Sequence, residues 1–335
     1  MATKINSSAQ LDFIQRIKEV IPKSYSLVDE LADLLQVSND SAYRRIRGET
    51  SFTIDEIVSI CNRYKISFDS FSNNNTGSVS FNYRPLGNDE NSFLSYFKSL
   101  RNDLKKIESF EDKHIVFAAE DIPIFHYFNF PELTSFKIFY WNKSILNIPS
   151  LDKKKFDPSW PSKELQEIVK DILDLYMKIP STEIWTDETV NSTLKQIEFY
   201  WESGIFQKKE DALTVCHNLE QMITSLQKQA ELSTKFISES QRAKYENNFS
   251  LYNCEVTVGN NCILATMGDL KLTYISHHTL NTISTANSNF CEETDLWLKN
   301  LIKKSVLISG VSEKQRYQFF SKIQANVDSL KAKIK

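Results

Sequence analysis

The sequence predicts a mainly α-helical protein in which a small N-terminal helical domain precedes a larger helical α+β domain with a small antiparallel sheet. Apolar residues recur every three or four positions in many separate segments of the 335-residue chain, as in helices that bury one face. Only seven glycines are present, and no two lie closer than nine residues apart, which favours helices over turn-rich β structure. Alternation of apolar and polar residues is clear only near residues 251–276, where it predicts the sheet.

A polar, turn-forming run at residues 72–77 predicts a linker between the two domains. We therefore assign residues 1–71 to the first domain, residues 72–89 to the linker and residues 90–335 to the second domain. An apolar content of 41% is ample for a buried core.

The first domain has the layout of a helix-turn-helix. A first helix with apolar periodicity stops at Pro22, and Ser26 can cap a second helix over residues 27–35. Ser38 is the expected N-cap of a third helix, which ends before Gly48, where a left-handed C-cap is common. In a helix-turn-helix, the second helix of the pair enters the DNA major groove.

Positive charge in this domain is concentrated on the third helix. Residues 38–48 carry three arginines and one aspartate, whereas residues 1–71 as a whole carry nine lysines and arginines against ten acids. Non-specific affinity for DNA is therefore expected to be weak, and useful affinity is expected to need two copies on two half-sites. Thr53 and Glu56 then form a capping box for a fourth helix.

This pattern resembles the lambda-repressor-like (Xre) family of helix-turn-helix domains over about residues 8–71. The residues that carry the resemblance are Leu31-Ala32, Val37-Ser38, Arg47-Gly48 and Ile66-Ser67-Phe68. The fold that the resemblance implies is a compact helical domain that reads double-stranded DNA.

The resemblance also implies roles for the outer residues of the third helix. Asn39, Asp40 and Arg44 fall on positions that touch base edges in the family. Arg47 falls on a position that usually meets phosphate, and Arg45 lies where the family commonly has an apolar residue. The candidate DNA-contacting residues are Ser38, Asn39, Asp40, Tyr43, Arg44 and Arg47. The alternative interpretation is a helical bundle that contacts protein, with solvated arginines.

An aromatic-dense segment at residues 124–141 has two interpretations. Its side chains are suited to line a small-molecule pocket, with His126 and Asn129 as polar groups. The alternative, which we favour, is a hydrophobic core, because aromatic side chains dominate cores. The candidate pocket residues are Phe125, His126, Tyr127, Asn129, Tyr140 and Trp141.

Two helices carry heptad-like apolar seams, over residues 211–237 and 313–335. Each seam predicts either pairing with its twin in a homodimer or packing within its own subunit, and the C-terminal helix is the better dimer candidate. Between them, residues 251–258, 262–267 and 270–275 predict a three-stranded antiparallel meander.

Composition excludes several classes of protein. The net charge of −3 gives no global basic surface, and the chain lacks both a long apolar stretch and a hydrophobic signal, so we expect a cytoplasmic protein without membrane contact. The five scattered cysteines suggest reduced thiols and lack the spacing of metal ligands. Neither a phosphate-binding glycine loop nor a catalytic motif is present, so we expect no enzyme activity and no cofactor.

These observations predict a sequence-specific transcriptional regulator, a repressor or an activator. Its second domain would make it a homodimer and sense a small-molecule effector. The main alternative is a protein-interaction adaptor or scaffold without sequence-specific DNA binding, and a third is an enzyme under its own DNA-binding control.

Overall fold

The computed structural model describes residues 8–21, 25–64, 66, 78–159, 161–238 and 246–334. The chain divides between Phe81 and Asn82 into two compact units, which we call the first unit and the second unit. Pro22, Ser67-Phe68 and the predicted linker run at residues 72–77 lie outside the described residues.

The described part of the first unit consists of helices joined by short turns. They are α1 (Ser8–Val20), α2 (Leu27–Leu35), α3 (Asn39–Ile46) and α4 (Ile54–Tyr64). Their shared core is apolar and includes Phe13, Ile14, Ile17, Leu31, Ala42 and Ile60.

The turn between α2 and α3 is built from local signals. The Ser26 hydroxyl accepts a hydrogen bond from the backbone N–H of Asp29, which caps the start of α2. Helix α2 ends at Gln36, which has a left-handed φ of 53°. The N–H of Val37 then donates to the carbonyl of Ala32 at 3.0 Å. The α2–turn–α3 layout expected from the sequence is therefore formed.

The second unit contains an eight-stranded sheet and seven α-helices in its described residues. The strands are β1 (Asn82–Tyr83), β2 (Lys113–Ala119), β3 (Ser181–Trp185), β4 (Phe249–Asn253), β5 (Cys262–Met267), β6 (Leu270–His277), β7 (Asn281–Thr285) and β8 (Val306–Leu307). The helices are α5 (Glu90–Glu108), α6 (Pro131–Tyr140), α7 (Lys163–Lys178), α8 (Asn191–Glu202), α9 (Lys209–Leu232), α10 (Ser288–Lys303) and α11 (Glu313–Ile334). The prediction of a mainly α-helical protein with a sheet is confirmed.

The sheet is mixed, and the prediction of a small antiparallel sheet was wrong. Its strand order is β1-β7-β6-β5-β2-β3-β4-β8, with β2, β3 and β4 parallel to one another. Strand β4 does not pair with β5, as the three-stranded meander required, because β2 and β3 lie between them. The antiparallel meander consists instead of β5, β6 and β7. Parallel partners are far apart in the sequence and leave no turn signal between them.

The two faces of the sheet are covered differently. Ile115, Phe117 and Ala119 of β2 belong to a large core with α5, α7, α9 and α11. Ala118 of β2 belongs to a smaller cluster with Cys291 and Leu298 of α10. Successive residues of a strand point to opposite faces, so β2 is buried on both sides.

The two heptad seams pack within the subunit, which is the second of the two interpretations that the sequence left open. Helices α9 and α11 lie against each other, and their apolar seam residues are buried in the large core. At their border, Glu220 accepts hydrogen bonds from Gln324 at 3.0 Å and from Lys331 at 2.6 Å. Helix α9 also ends at Leu232, short of the predicted residue 237, because Ser233 adopts φ of 51°.

Candidate functional site

The outer side of α3 carries every residue predicted to touch DNA. Ser38, Asn39, Asp40, Tyr43, Arg44 and Arg47 are all exposed. Ala42 is fully buried on the opposite side, and the Ser38 hydroxyl accepts from the backbone N–H of Ser41 at 3.3 Å, which caps the helix. The structure therefore brings the six residues to one solvent-facing surface, which we call the α3 surface; their contacts with DNA stay predictions.

The arginines of the α3 surface share an acidic neighbour that sequence reasoning did not find. Arg47 Nε lies 3.2 Å from Glu49 Oε1, and Arg44 Nε lies 3.9 Å from Glu49 Oε2. The Arg47 guanidinium also stacks 5.6 Å from the centre of the Tyr43 ring. A phosphate that approaches either arginine must compete with the Glu49 carboxylate.

Asn39 also has a partner within the first unit. Its Nδ2 donates to Asp29 Oδ1 at 2.9 Å, and both side chains are exposed. One N–H of the Asn39 amide is therefore engaged, so the predicted bidentate contact with an adenine must use the second N–H or displace Asp29.

Arg45 is a structural residue, which accounts for its departure from the apolar pattern. Its Nη2 donates to Glu56 Oε1 at 2.8 Å and its Nε donates to Glu56 Oε2 at 3.2 Å, with both side chains mostly buried. Burial by itself raises the pKa of Glu56, but hydrogen bonds from Arg45 and Thr53 and the Arg45 charge outweigh burial and hold this pKa below its ordinary value. The ion pair joins α3 to α4 and leaves Arg44 and Arg47 on the outer side.

The second unit contains a cavity of about 130 Å³ between α5, the sheet and residues 121–127. Three of the six predicted pocket residues line it, namely Phe125, Tyr127 and Trp141. Tyr140 lines a neighbouring cleft instead. His126 and Asn129 line neither space, and Asn129 Nδ2 donates to the carbonyl of Ile237 at 3.0 Å.

His126 belongs to a buried polar network, so its proposed role as a polar group of the pocket is not supported by its position. Its Nε2 lies 2.9 and 3.0 Å from the two carboxylate oxygens of Glu183. Glu183 also accepts from the Tyr176 hydroxyl at 2.5 Å and from Trp185 Nε1 at 2.8 Å. Burial by itself raises the pKa of Glu183, but the charge and hydrogen bond of His126 and the Tyr176 hydrogen bond outweigh it, so the pKa is lowered.

A buried lysine lies beside this network. Lys235 donates to the carbonyls of Tyr176, at 2.8 Å, and Ile179, and to the Ser181 hydroxyl at 3.0 Å. Its ammonium also lies 4.0 Å from the centre of the Tyr176 ring. Burial lowers the pKa of Lys235 to about 7, against the attraction of Glu183.

Polar side chains at one side of the cavity are mostly paired with each other. Arg84 donates to both carboxylate oxygens of Asp103, at 3.1 and 3.3 Å. The Tyr96 hydroxyl donates to the carbonyl of Leu280 at 2.8 Å, and Asn281 Nδ2 donates to the carbonyl of Arg84 at 2.7 Å. These bonds connect α5 with the end of β1 and the start of β7.

An acidic cleft of about 910 Å³ adjoins the cavity where the parallel strands end. Lys195 lines the cleft together with five acidic residues that follow the carboxyl ends of β2, β3 and β4. These are Glu120, Asp121, Asp187, Glu188 and Glu255. Open sheets bind ligands at the carboxyl ends of their parallel strands. Sequence reasoning did not find the cleft, because β3 had not been recognised as a strand.

A partly buried ion pair lies at the border between the cavity and the cleft. Asp121 lines both spaces and lies 3.6 Å from the ammonium of Lys137, which is fully buried. Lys137 also donates to Gln196 Oε1 at 2.8 Å and to Thr193 Oγ1 at 3.2 Å. Burial lowers the pKa of Lys137, although Asp121 acts in the opposite direction.

The cysteines are all free thiols. Cys254, Cys262 and Cys291 belong to the cluster between the sheet and α10, and burial raises the pKa of Cys262 to about 11. Among the described residues, no group of three or more His, Cys, Asp or Glu side chains is placed to hold a metal ion.

In the described ranges, none of the helices combines the length and the apolar character that crossing a bilayer requires. Comparison with family models, with curated proteins and with solved structures gave no match to this chain.

Proposed function

We propose that this protein is a sequence-specific DNA-binding transcriptional regulator, in which α3 reads the major groove and the second unit dimerises the protein and responds to a small-molecule effector. The observation that carries the proposal is the α3 surface. Its six polar or aromatic residues are exposed together on a capped helix whose opposite side is anchored by buried Ala42. Such a helix presents side chains to base edges in helix-turn-helix proteins.

The chemistry of these residues suits separate tasks. An arginine such as Arg44 can bind guanine through two hydrogen bonds, whereas Asn39 suits adenine and Asp40 accepts from cytosine. Arg47 and the Ser38 hydroxyl are assigned to phosphate, which positions the helix without reading sequence.

Dimerisation is part of the proposal because a single first unit has little electrostatic attraction for DNA. Residues 1–71 have a net charge of about −1, and Glu49 partly neutralises the arginines. Two linked copies that bind two half-sites compensate for weak single contacts. Since the seams of α9 and α11 are covered within the subunit, the dimer must use another surface.

The experiment is a selection of duplexes from a randomised library by the full-length protein. The wild-type protein should enrich a two-part motif. Arg44→Ala should cost about 1–3 kcal/mol of specific binding and lose preference at one base pair in each half-site. Arg63→Ala, which removes an exposed arginine from the last turn of α4, is the matched control and should select the wild-type motif.

The second candidate is a protein-interaction adaptor, which the net acidity of residues 1–71 favours. In that case the selection enriches no motif, and Arg44→Ala behaves as Arg63→Ala does. A motif that depends on Arg44 but not on Arg63 excludes the adaptor as the main role.

A further inference from the structure

We infer that the cavity of the second unit binds a compact, uncharged and mainly apolar molecule of about single-ring size, through a hydrogen bond to Tyr274, and that its occupancy stabilises β1. The binding site stands on the geometry of the second unit alone. Its role as the effector site rests on the proposed DNA-binding function.

The size and walls of the cavity define the apolar part of the ligand. The volume of about 130 Å³ is bordered by buried aliphatic and aromatic side chains, including Leu104, Ile107, Ile115, Phe117 and Ala265. A protein cavity of about 150 Å³ binds benzene, which sets the scale for a ligand of this space. A single ring, or an aliphatic group of that size, therefore fits the space.

Tyr274 supplies the polar contact. It lies on β6 and lines the cavity, and no hydrogen-bond partner of its hydroxyl lies within reach in the part of the chain that the structure describes. Burial raises the pKa of Tyr274, so the hydroxyl stays a neutral donor. The hydroxyl can therefore donate to a ligand oxygen that takes the place of water in the cavity.

The surrounding charges select against anions. Asp103 is paired with Arg84 and Asp121 with Lys137, so the cations that line or adjoin the cavity are already neutralised. The adjoining cleft carries four further carboxylates against Lys195, and these are Glu120, Asp187, Glu188 and Glu255. A negative field at the mouth disfavours a ligand carboxylate or phosphate.

Strand β1 connects the cavity with the rest of the chain. Asn82 and Arg84, on either side of Tyr83, both line the cavity. The strand pairs with β7 through two residue pairs, Asn82 with Ser284 and Tyr83 with Ile283. So short a strand is weakly held, and a ligand that packs against Asn82 and Arg84 adds contacts that exist only when β1 is docked. Asn82 is the first residue of the second unit, so occupancy acts at the point where the chain enters that unit.

The binding test is a ligand-observed NMR titration of the full-length protein, with phenol, toluene and benzoate as probes. Phenol should bind saturably in the millimolar range or tighter, and benzoate at least about tenfold more weakly. Tyr274→Phe should lower phenol affinity about three- to tenfold and leave toluene affinity unchanged. Tyr252→Phe removes a hydroxyl from β4 outside the cavity and is the matched control.

A variant that fills the cavity tests the binding site independently of Tyr274. Leu100→Trp places a large ring in the wall and should abolish phenol binding, whereas Leu94→Trp, on the same helix but outside the lining, should not. Circular dichroism of both variants checks that the second unit is folded. Absence of saturable phenol and toluene binding, equal binding of benzoate, or unchanged phenol binding by folded Leu100→Trp overturns the site.

Hydrogen exchange tests the effect on β1. Saturating phenol should slow amide exchange in the peptide that contains Asn82 and Tyr83, and should not do so in Leu100→Trp. Unchanged exchange at full occupancy overturns the link to β1. Each proposal can fail by itself: phenol binding without selection of a DNA motif removes the effector role alone, and DNA binding without phenol binding removes the ligand site alone.

Discussion

The α3 surface of the first unit and the core of the second unit use charged side chains in opposite ways. In the first unit, the side chains of Arg44 and Arg47 are 57% and 59% exposed and share the half-exposed Glu49. In the second unit, Lys137, Glu183 and Lys235 are fully buried, and each is held by several hydrogen bonds. Exposed pairs contribute little to stability and exchange easily for a phosphate, whereas a buried charge that loses its partner is strongly destabilising. The exposed arginines are therefore available for the proposed recognition, whereas the stability of the second unit depends on keeping its buried charges paired.

The largest expected effect is the loss of the buried carboxylate. Glu183→Ala leaves His126, Tyr176 and Trp185 without their common acceptor. It should lower the free energy of unfolding of the second unit by about 3–5 kcal/mol. All five tryptophans lie in residues 82–335, so tryptophan fluorescence in a urea titration reports on the second unit alone.

The control for this variant is Glu293→Ala, which removes an exposed acid from α10. Its urea midpoint should stay near that of the wild-type protein. Equal effects of the two substitutions would contradict the assignment of Glu183 to a stabilising network.

A smaller effect is the pH dependence that Lys235 gives to the second unit. Its folded pKa is about 7, below the ordinary value for lysine, because the side chain is buried. Between pH 7 and 10 the unfolded chain therefore binds a proton that the folded chain lacks, and the free energy of unfolding rises with pH by at most about 1.4 kcal/mol per pH unit. Below pH 7 both states hold the proton, and this contribution to the slope vanishes.

Lys235→Met isolates this contribution from that of the other titrating groups. Urea titrations at several pH values should show a flatter dependence above pH 7 for the variant than for the wild-type protein. Parallel curves would mean that Lys235 is charged in the folded protein across the whole range.

A substitution of Arg47 tests the phosphate contact that we propose for the α3 surface. If Arg47 meets phosphate, Arg47→Ala should weaken binding to selected and unrelated duplexes by the same factor. The slope of log affinity against log salt concentration should also fall by about one. A loss confined to the selected duplex would instead place Arg47 on a base edge.

The smallest effect is a gain from the removal of Glu49. Glu49→Gln frees both arginines of a competing carboxylate and should raise affinity for all duplexes by up to about fivefold at low salt. Asp33→Asn removes an equal charge from α2, where the side chain is exposed, and should raise affinity less. Equal gains would show that net charge, and not the Glu49 contact, sets the affinity.

How well the sequence predicts structure also differs between the units. The caps at Ser26 and Ser38 and the reciprocal pair of Thr53 and Glu56 join residues three positions apart, and all of these hydrogen bonds form. Local spacing is enough for such contacts. Glu49 escaped sequence reasoning because its contacts depend on how the chain turns after Gly48, which has φ of 73°.

In the second unit, long-range contacts limit prediction. Strand β3 begins Ser181-Thr182-Glu183, which is polar and gives no apolar alternation, although Ser181 and Glu183 are buried. Glu183 is tolerated there because His126, 57 positions away, and Tyr176 bond to it. The same limit affected the pocket: the aromatic density of residues 124–141 predicted Phe125, Tyr127 and Trp141, whereas Tyr274 comes from a distant strand.

The most direct test of DNA recognition is fluorescence anisotropy of the full-length protein on a selected duplex and on its scrambled counterpart, at two salt concentrations. We predict that the wild-type protein and Arg63→Ala prefer the selected duplex at both salts, and that Arg44→Ala loses this preference while it keeps the weak, salt-sensitive binding. Equal binding of both duplexes by the wild-type protein, or an unchanged preference in Arg44→Ala, would contradict the account of α3 as the recognition helix.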